Sequence, residues 1–214
     1  MKISVLGTGA VGQTIGTKLV GLGHEVKMGS RDANHVKGLG WVKANGVRAS
    51  LGTFLEAASF AELVFNCTAG RASLDVLGGL GPALAGKVLV DVSNPLDFSN
   101  GFPPSLFTPP GDSLGEQLQR ALPACHVVKA LNHISADVMV DPKLVASGDH
   151  DALICGNDAG AKARVSELMQ SLGWQRFVDL GDIKAARGME GYLLLWVSLM
   201  GPLGTAQFSL KIVK

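Results

Sequence analysis

The chain has 214 residues, 47% of them hydrophobic, and a formal net charge of +1 at pH 7. This length and composition suffice for one α/β domain with a sizeable core. Because the charges are nearly balanced and no long basic run is present, we expect neither a nucleic acid nor a membrane as a partner. The three cysteines lack the spacing of metal ligands, which predicts no zinc site and no disulfide framework, but three buried thiols: Cys67, Cys125 and Cys155.

The start of the chain has the pattern of a dinucleotide site. Residues 2–6 form a short apolar run that predicts a buried strand, and an apolar helical pattern follows it and ends at Gly23. Between strand and helix lies a glycine-rich turn: Gly7, Thr8, Gly9, Ala10, Val11 and Gly12. In such a turn the first glycine allows the tight bend, the second lets the backbone approach a pyrophosphate, and the third lets the helix pack closely on the strand. We therefore predict that these six residues bind the coenzyme.

The second strand predicts which dinucleotide binds. It covers residues 24–28 and continues into Gly29-Ser30-Arg31. A site for NAD places Asp or Glu at the end of this strand to accept hydrogen bonds from the ribose 2′-hydroxyl, and no acid stands there. Ser30 and Arg31 suit a 2′-phosphate instead, although Arg31 could also be an ordinary surface arginine. We predict NADP(H) as the coenzyme, and Asp32 as the N-cap of the next helix.

Short apolar runs alternate with amphipathic stretches along the rest of the chain, which predicts an α/β fold with a Rossmann-like, doubly wound and mostly parallel sheet. The further strands are predicted at residues 63–67, 88–92, 127–130, 152–155 and 175–178, and helices at 73–84, 158–172 and 183–199. Residues 1–214 are expected to form a single NADP-binding domain, in which residues 150–214 are a C-terminal helical extension that closes the site. The loop at 94–112 is either a wall of the site or a plain surface loop.

In such a sheet, ligands lie beyond the carboxyl ends of the strands. Three small or polar segments directly follow predicted strands: Cys67-Thr68-Ala69, Ser93-Asn94-Pro95 and Leu131-Asn132-His133-Ile134. We predict that the first two segments and Asn132 bind the coenzyme around its nicotinamide end. Asn94-Pro95 is also typical of a plain turn.

Asn132, His133 and Ile134 are predicted to bind a small-molecule electron acceptor. Hydride transfer between two ring systems needs alignment and close approach rather than a proton donor. We therefore predict no catalytic side chain and no metal, and we interpret His133 as a binding residue, with a buried core histidine as the alternative.

Seven motifs carry a resemblance that extends over essentially the whole chain: GTGAVG, GSRD, NCTAG, DVSNPL, VKALNHISA, DLGDIKAAR and the terminal FSLKIVK. Together they resemble the family of NADP oxidoreductases that use the deazaflavin coenzyme F420. That family includes deazaflavin:NADP reductases and the cytoplasmic domain of the six-transmembrane epithelial antigen of prostate metalloreductases. The resemblance implies an NADPH-binding fold with few acid or base residues, and usually a homodimer.

The two branches of that family differ at one position of this chain. The deazaflavin reductases are expected to carry His where this chain has Asn132, whereas the metalloreductases carry Asn there. His133 could substitute, and His35 and Lys37 could replace a basic residue expected shortly after Arg31 in the deazaflavin branch. The resemblance therefore implies a flavin, FMN or FAD, as an acceptor on equal terms with deazaflavin.

Taken together, these residues predict an NADPH-dependent oxidoreductase that transfers hydride to a flavin or deazaflavin, with ferric or other metal reduction as an extension. The alternative is a non-catalytic NADPH-binding sensor or scaffold. Because the first strand starts at residue 2, we expect no signal peptide and a cytoplasmic protein. The apolar residues at 193–199 and 208–213 are expected to form a dimer surface.

Overall fold

Ten strands and nine α-helices make up the fold, described here from a computed structural model that covers residues 1–214. The strands are β1 (Lys2–Leu6), β2 (Glu25–Ser30), β3 (Ala49–Thr53), β4 (Leu63–Asn66), β5 (Val88–Asp91), β6 (Leu96–Asp97), β7 (Ser105–Leu106), β8 (His126–Ala130), β9 (Ala152–Gly156) and β10 (Phe177–Asp179). The helices are α1 (Ala10–Gly21), α2 (Val36–Asn45), α3 (Phe54–Phe60), α4 (Gly70–Gly78), α5 (Gly81–Leu84), α6 (Leu114–Ala121), α7 (Ala136–Val140), α8 (Ala159–Ser171) and α9 (Ala186–Leu203).

Eight of the strands form one sheet in the order β10-β9-β8-β5-β4-β1-β2-β3. All neighbours are parallel except β8 and β9, which run antiparallel. The segment β3-β2-β1-β4-β5-β8 has the strand order of a Rossmann fold, with its reversal between β1 and β4. The predicted fold class is confirmed.

Helices cover both faces of the sheet and bury it. On one face, Ile15 and Leu19 of α1 pack in a cluster with Ile3 and Val5 of β1. On the other face, a second cluster joins β4, β5 and β8 to α4, α5, α6 and the start of α9. Central parallel strands buried on both faces carry near-continuous apolar runs, which is why the sequence predicted them.

Two elements that follow β2, the strand β3 and the helix α3, were not predicted, and the N-cap of α2 was assigned to the wrong residue. Helix α2 begins at Val36 with His35 as its N-cap, so the prediction of Asp32 as that N-cap is wrong. The Asp32 carboxylate instead accepts the Asn34 N–H at 2.8 Å and closes a turn before the helix. Helix α3 starts with a capping box between Thr53 and Glu56, a signature visible in the sequence that would have located it.

Three predicted segments differ in detail from the structure. The helix at 73–84 is two helices, α4 and α5, separated at Gly79 and Leu80, because adjacent glycines propagate a helix poorly. The segment at 94–112 contains a small antiparallel ribbon of β6 and β7 rather than only a loop. The helix at 183–199 begins as a 3-10 turn, Ile183–Ala185, and then continues as α9 to Leu203.

None of the helices combines the length and the apolar character that crossing a membrane requires.

Candidate functional site

The glycine turn lies at the reversal of strand order, where β1 and β4 end side by side. Gly7 has a φ of +121°, and a Cβ there would lie 2.5 Å from the carbonyl oxygen of Cys67. A Cβ on Gly12 would lie 2.4 Å from the carbonyl oxygen of Gly7. Both glycines are therefore required by the protein itself, for the bend and for the close packing of α1 on β1.

Gly9 differs from these two glycines, because nothing in the protein requires it. Its φ is −74°, which any residue adopts, and a Cβ on it would meet no atom within 4 Å. It is the N-cap of α1, so it lies beside the unpaired N–H groups of the helix's first turn, which Ala10, Val11 and Gly12 form. The space beside Gly9 and these donors fit a pyrophosphate that approaches the backbone closely.

A cleft of about 350 Å³ lies over this turn. It brings together eight of the predicted coenzyme residues: Gly7, Thr8, Gly9, Ser30, Arg31, Cys67, Thr68 and Ala69. It also contains His35, which the resemblance offered as a replacement for a basic residue, and three residues that were not predicted: Phe54, Ala72 and Val76. The three missed residues come from α3 and α4, whose positions over the cleft depend on tertiary packing.

The end of the cleft at β2 carries unpaired positive charge. Arg31 is exposed and forms no ion pair with any carboxylate of the chain, whereas Ser30 is buried with its hydroxyl donating to the Asp32 carbonyl. His35 lines the same end, and its Nδ1 is buried without a hydrogen-bond partner. A free guanidinium beside the His35 imidazole fits the 2′-phosphate of NADP(H), and no carboxylate lines the cleft to accept a ribose 2′-hydroxyl.

The remaining predicted site residues lie behind the cleft rather than in its wall. Ser93, Pro95, Asn132 and Ile134 are buried, and Asn94 is half-buried. Asn94 and Asn132 are joined by two hydrogen bonds. Asn94 Nδ2 donates to the backbone carbonyl of Asn132 at 2.7 Å, and Asn132 Nδ2 donates to Asn94 Oδ1 at 2.9 Å. The Oδ1 atom of Asn132 is buried without any partner. One acceptor is therefore left open where the ends of β5 and β8 meet.

A buried ion cluster supports these strand ends. Lys129 Nζ lies 2.8 Å from Asp91 Oδ2, 2.8 Å from Glu190 Oε1 and 2.6 Å from the Ser93 carbonyl oxygen. Burial alone would lower the pKa of Lys129, but the two carboxylates outweigh that effect and raise the pKa above its usual range. Sequence reasoning missed all three charged residues, because nothing in the local pattern shows that Glu190 of α9 meets β8.

The cluster connects to the cleft through a chain of side-chain hydrogen bonds. Asn66 Nδ2 donates to Asp91 Oδ1 at 2.9 Å, and Asn66 Oδ1 accepts the Thr68 hydroxyl at 2.6 Å. Thr68 and the half-buried Cys67 both line the cleft, so the prediction of a buried thiol is wrong for Cys67 and confirmed for Cys125 and Cys155. Cys67 directly follows β4 and is exposed to the cleft on one side.

His133 lies inside the core, without any exposed atom. Its Nε2 accepts the Leu153 N–H at 3.4 Å, and Tyr192 packs edge-on at 6.2 Å between ring centroids. Burial lowers the pKa of His133 to about 4, so the ring is neutral at pH 7. No atom of the ring is exposed to bind an acceptor, so the structure favours the alternative, a buried core histidine.

The buried neutral ring makes stability depend on pH. The pKa of His133 is lowered in the folded state, so the unfolded chain binds its proton first as the pH falls from 6.5 toward 4. The contribution of the neutral His133 ring to the free energy of unfolding is therefore present above pH 6.5 and decreases below it, by about 2 kcal/mol between pH 7.5 and pH 5. Urea unfolding of the protein and of His133→Gln at both pH values measures this. Equal pH dependence in the two proteins would contradict the assignment.

Strand order, glycine turn and cleft together define a Rossmann-like dinucleotide-binding protein. Residues 2–95 match the family model described as NADP oxidoreductase coenzyme F420-dependent. The F420-dependent NADP reductase of Methanothermobacter marburgensis is 32% identical over 208 residues, which are 93% of this chain and 92% of that protein. The chain belongs to the family of F420-dependent NADP oxidoreductases and is an NADP-dependent oxidoreductase, as the resemblance implied.

Three further proteins are similar to this chain in sequence or in structure. A crystal structure of a protein from Arthrobacter sp. FB24, provisionally named an F420-dependent NADP-reductase, is 48% identical with a TM-score of 0.96 over 100% of both chains. Metalloreductase STEAP3 of Rattus norvegicus is 35% identical over 190 residues, and this chain spans only 36% of its length. The reductive aminase of Aspergillus terreus in complex with NADPH, at 21% identity and a TM-score of 0.67, shows the fold alone.

Proposed function

We propose that this protein transfers a hydride between NADP(H) and a deazaflavin or flavin, bound near the loops that follow β5 and β8. One observation carries the proposal: the reactive end of the site offers amides and backbone and no free carboxylate or imidazole, and burial raises the pKa of its one thiol, Cys67. His133 is buried, and Lys129 uses all three of its N–H donors within the protein. Ring-to-ring hydride transfer is chemistry that needs alignment without a protonating side chain.

In this proposal the bound NADP(H) supplies or receives the hydride, and the protein binds and orients it. The glycine turn and the first turn of α1 hold the pyrophosphate, and Arg31 pairs with the 2′-phosphate. Ser30 lies beside Arg31 in the cleft, and its hydroxyl can donate to the phosphate only by giving up its hydrogen bond to the Asp32 carbonyl. Thr68 and Ala69 lie along the ribose on the nicotinamide side. Asn132 Oδ1 has no partner but is buried, so it can accept an N–H of the nicotinamide carboxamide or of the acceptor ring only after the loop that follows β8 has moved.

The choice of acceptor can be tested directly. Purified protein is mixed with NADPH and, in separate reactions, coenzyme F420, FMN or FAD, and the absorbance at 340 nm is followed. We expect oxidation of NADPH with at least one acceptor. A further reaction with a ferric chelate and the active flavin tests metal reduction, which the metalloreductase relative makes worth examining. Binding of NADPH without oxidation by any acceptor would contradict the proposal and favour a sensor or scaffold.

Coenzyme preference should depend on Arg31. Replacing Arg31 with Ala removes the unpaired guanidinium at the β2 end of the cleft and should weaken NADPH binding by about 1.5–3 kcal/mol, the scale of a hydrogen bond to a charged group. NADH, which has no 2′-phosphate, should bind almost unchanged. Calorimetric titration with both coenzymes measures this, with Arg48→Ala, an exposed arginine outside the cleft, as the control. Equal weakening for both coenzymes would show that Arg31 is structural.

We also propose a cytoplasmic homodimer. Large apolar side chains are exposed on α9 and on the C-terminal tail: Leu195, Met200, Leu203, Ile212 and Val213. Leu193 and Val197 of the same helix face the interior instead. Exposed apolar side chains on α9 and on the tail support association between copies. Light scattering should give twice the mass of the chain, and a monomeric mass would contradict the dimer.

A further inference from the structure

The buried Glu190 of α9 meets three groups from two other parts of the chain. Its Oε2 accepts the Leu114 N–H at 2.8 Å, and its Oε1 accepts the Gly115 N–H at 3.0 Å and lies 2.8 Å from Lys129 Nζ. One carboxylate thus joins the start of α6 to the end of β8. Its side chain is 1% exposed, so each of these contacts replaces a lost contact with water.

Lys129 extends the connection to the segment after β5. Its ammonium group has three N–H donors, and all three are used: by Glu190, by the Asp91 carboxylate and by the Ser93 carbonyl. Asp91 Oδ1 in turn accepts the Ser93 N–H at 3.1 Å and the Ser93 hydroxyl at 2.6 Å. Ser93 is therefore held at its backbone N–H, its hydroxyl and its carbonyl, immediately before Asn94.

The residue next to Glu190 holds the other loop. Asn132 Nδ2 donates to the Met189 carbonyl at 3.1 Å as well as to Asn94 Oδ1. Met189 and Glu190 together thus fix the loops after β5 and β8 relative to each other. Asn132 as a whole is 2% exposed, and its Oδ1 atom is left without a hydrogen-bond partner.

We propose that Glu190 is a positioning residue for hydride transfer. It holds Lys129, Lys129 holds Ser93, and the adjoining Asn94–Asn132 pair is thereby kept in place at the ends of β5 and β8, beside the proposed acceptor site. The effect of Glu190 on the rate rests on the proposed function, whereas its effect on the loops of the free protein does not. Because misplacement of reacting groups by about 1 Å can cost a hundredfold in rate, a loosened pair should lower kcat more than coenzyme affinity.

The test compares two glutamate-to-glutamine variants at the same helix pair. In Glu190→Gln the shape is kept, but whichever way the amide is oriented its NH₂ group meets a donor, either Lys129 or an α6 N–H. Glu116→Gln is the matched control: Glu116 is also buried and binds Arg187 at 2.6 Å and the Ser113 hydroxyl at 2.8 Å, but contacts neither Lys129 nor the two loops.

The first readout is hydrogen exchange of the protein without coenzyme. We expect faster exchange at three amides at the start of these loops, in Glu190→Gln and not in Glu116→Gln. They are those of Val92, Ser93 and Ile134, which donate to the Asn66 carbonyl, the Asp91 carboxylate and the Leu131 carbonyl. The second is steady-state kinetics with NADPH deuterated at C4. Glu190→Gln should lower kcat about tenfold to a hundredfold, raise the isotope effect on kcat and change the NADPH Kd less than threefold.

Both readouts can overturn the positioning role of Glu190. Unchanged exchange at the three amides, or the same change in both variants, overturns the proposal. A kcat that falls only as much as in Glu116→Gln overturns it as well. If the unmodified protein oxidises NADPH with no acceptor, the proposed function fails, while the exchange comparison still supports or overturns the structural role of Glu190.

Discussion

Replacing Lys129 with methionine is expected to lower the free energy of unfolding by about 3–5 kcal/mol, the cost of removing one partner from a buried ion pair. Methionine fills a similar volume, so the cavity contribution is small. The cost arises because Asp91 and Glu190 would remain as two carboxylates at the centre of the fold without the cation between them. Lys129 is 0% exposed, so water cannot replace the ammonium group.

Urea denaturation at pH 7.5 measures the change. The control is Lys211→Met, which removes an exposed lysine paired with Asp149, and should leave the free energy of unfolding nearly unchanged. A loss of less than about 1 kcal/mol in Lys129→Met would mean that the cluster contributes no more than a surface pair. It would also show that the two carboxylates find other partners or become protonated.

Two alanine substitutions in the glycine turn should differ in their effects on stability. In Gly12→Ala the new Cβ would lie 2.4 Å from the Gly7 carbonyl oxygen, which is rigid backbone, so we expect a loss of stability toward the upper end of about 1–3 kcal/mol. In Gly9→Ala the Cβ meets no protein atom and φ is compatible with alanine. Alanine is a poorer N-cap than glycine, and this offsets the gain from a less flexible unfolded chain, so stability should change by less than about 1 kcal/mol in either direction.

Coenzyme affinity should separate the same two variants. The Cβ of Gly9→Ala points into the space that a pyrophosphate needs, and we expect NADPH and NADH to bind about tenfold more weakly or worse, equivalent to about 1.4 kcal/mol. Thermal unfolding with and without NADPH, together with fluorescence titration, measures both quantities. Normal affinity in Gly9→Ala would contradict the assignment of this turn to the coenzyme.

The coenzyme half of the site was predictable because its residues are local. Gly7 to Gly12 are contiguous, their roles follow from the strand and helix on either side, and Ser30 and Arg31 end the next strand. The structure brings Gly7, Gly9, Ser30 and Arg31 to one cleft because parallel strands end at the same edge of the sheet. Apolar runs likewise predicted seven of the eight strands of the sheet within a few residues, and the edge strand β3 was missed.

The other half depended on contacts between distant segments. The sequence by itself determined the fold class, the glycine turn and the preference for NADP(H), since each follows from backbone geometry and side-chain chemistry over a few neighbouring residues. Only the tertiary structure decided that His133 is a neutral core residue, that Asn132 pairs with Asn94, and that Lys129 joins Asp91 to Glu190. The physical reason is that burial and ion pairing are set by which chain segments pack together.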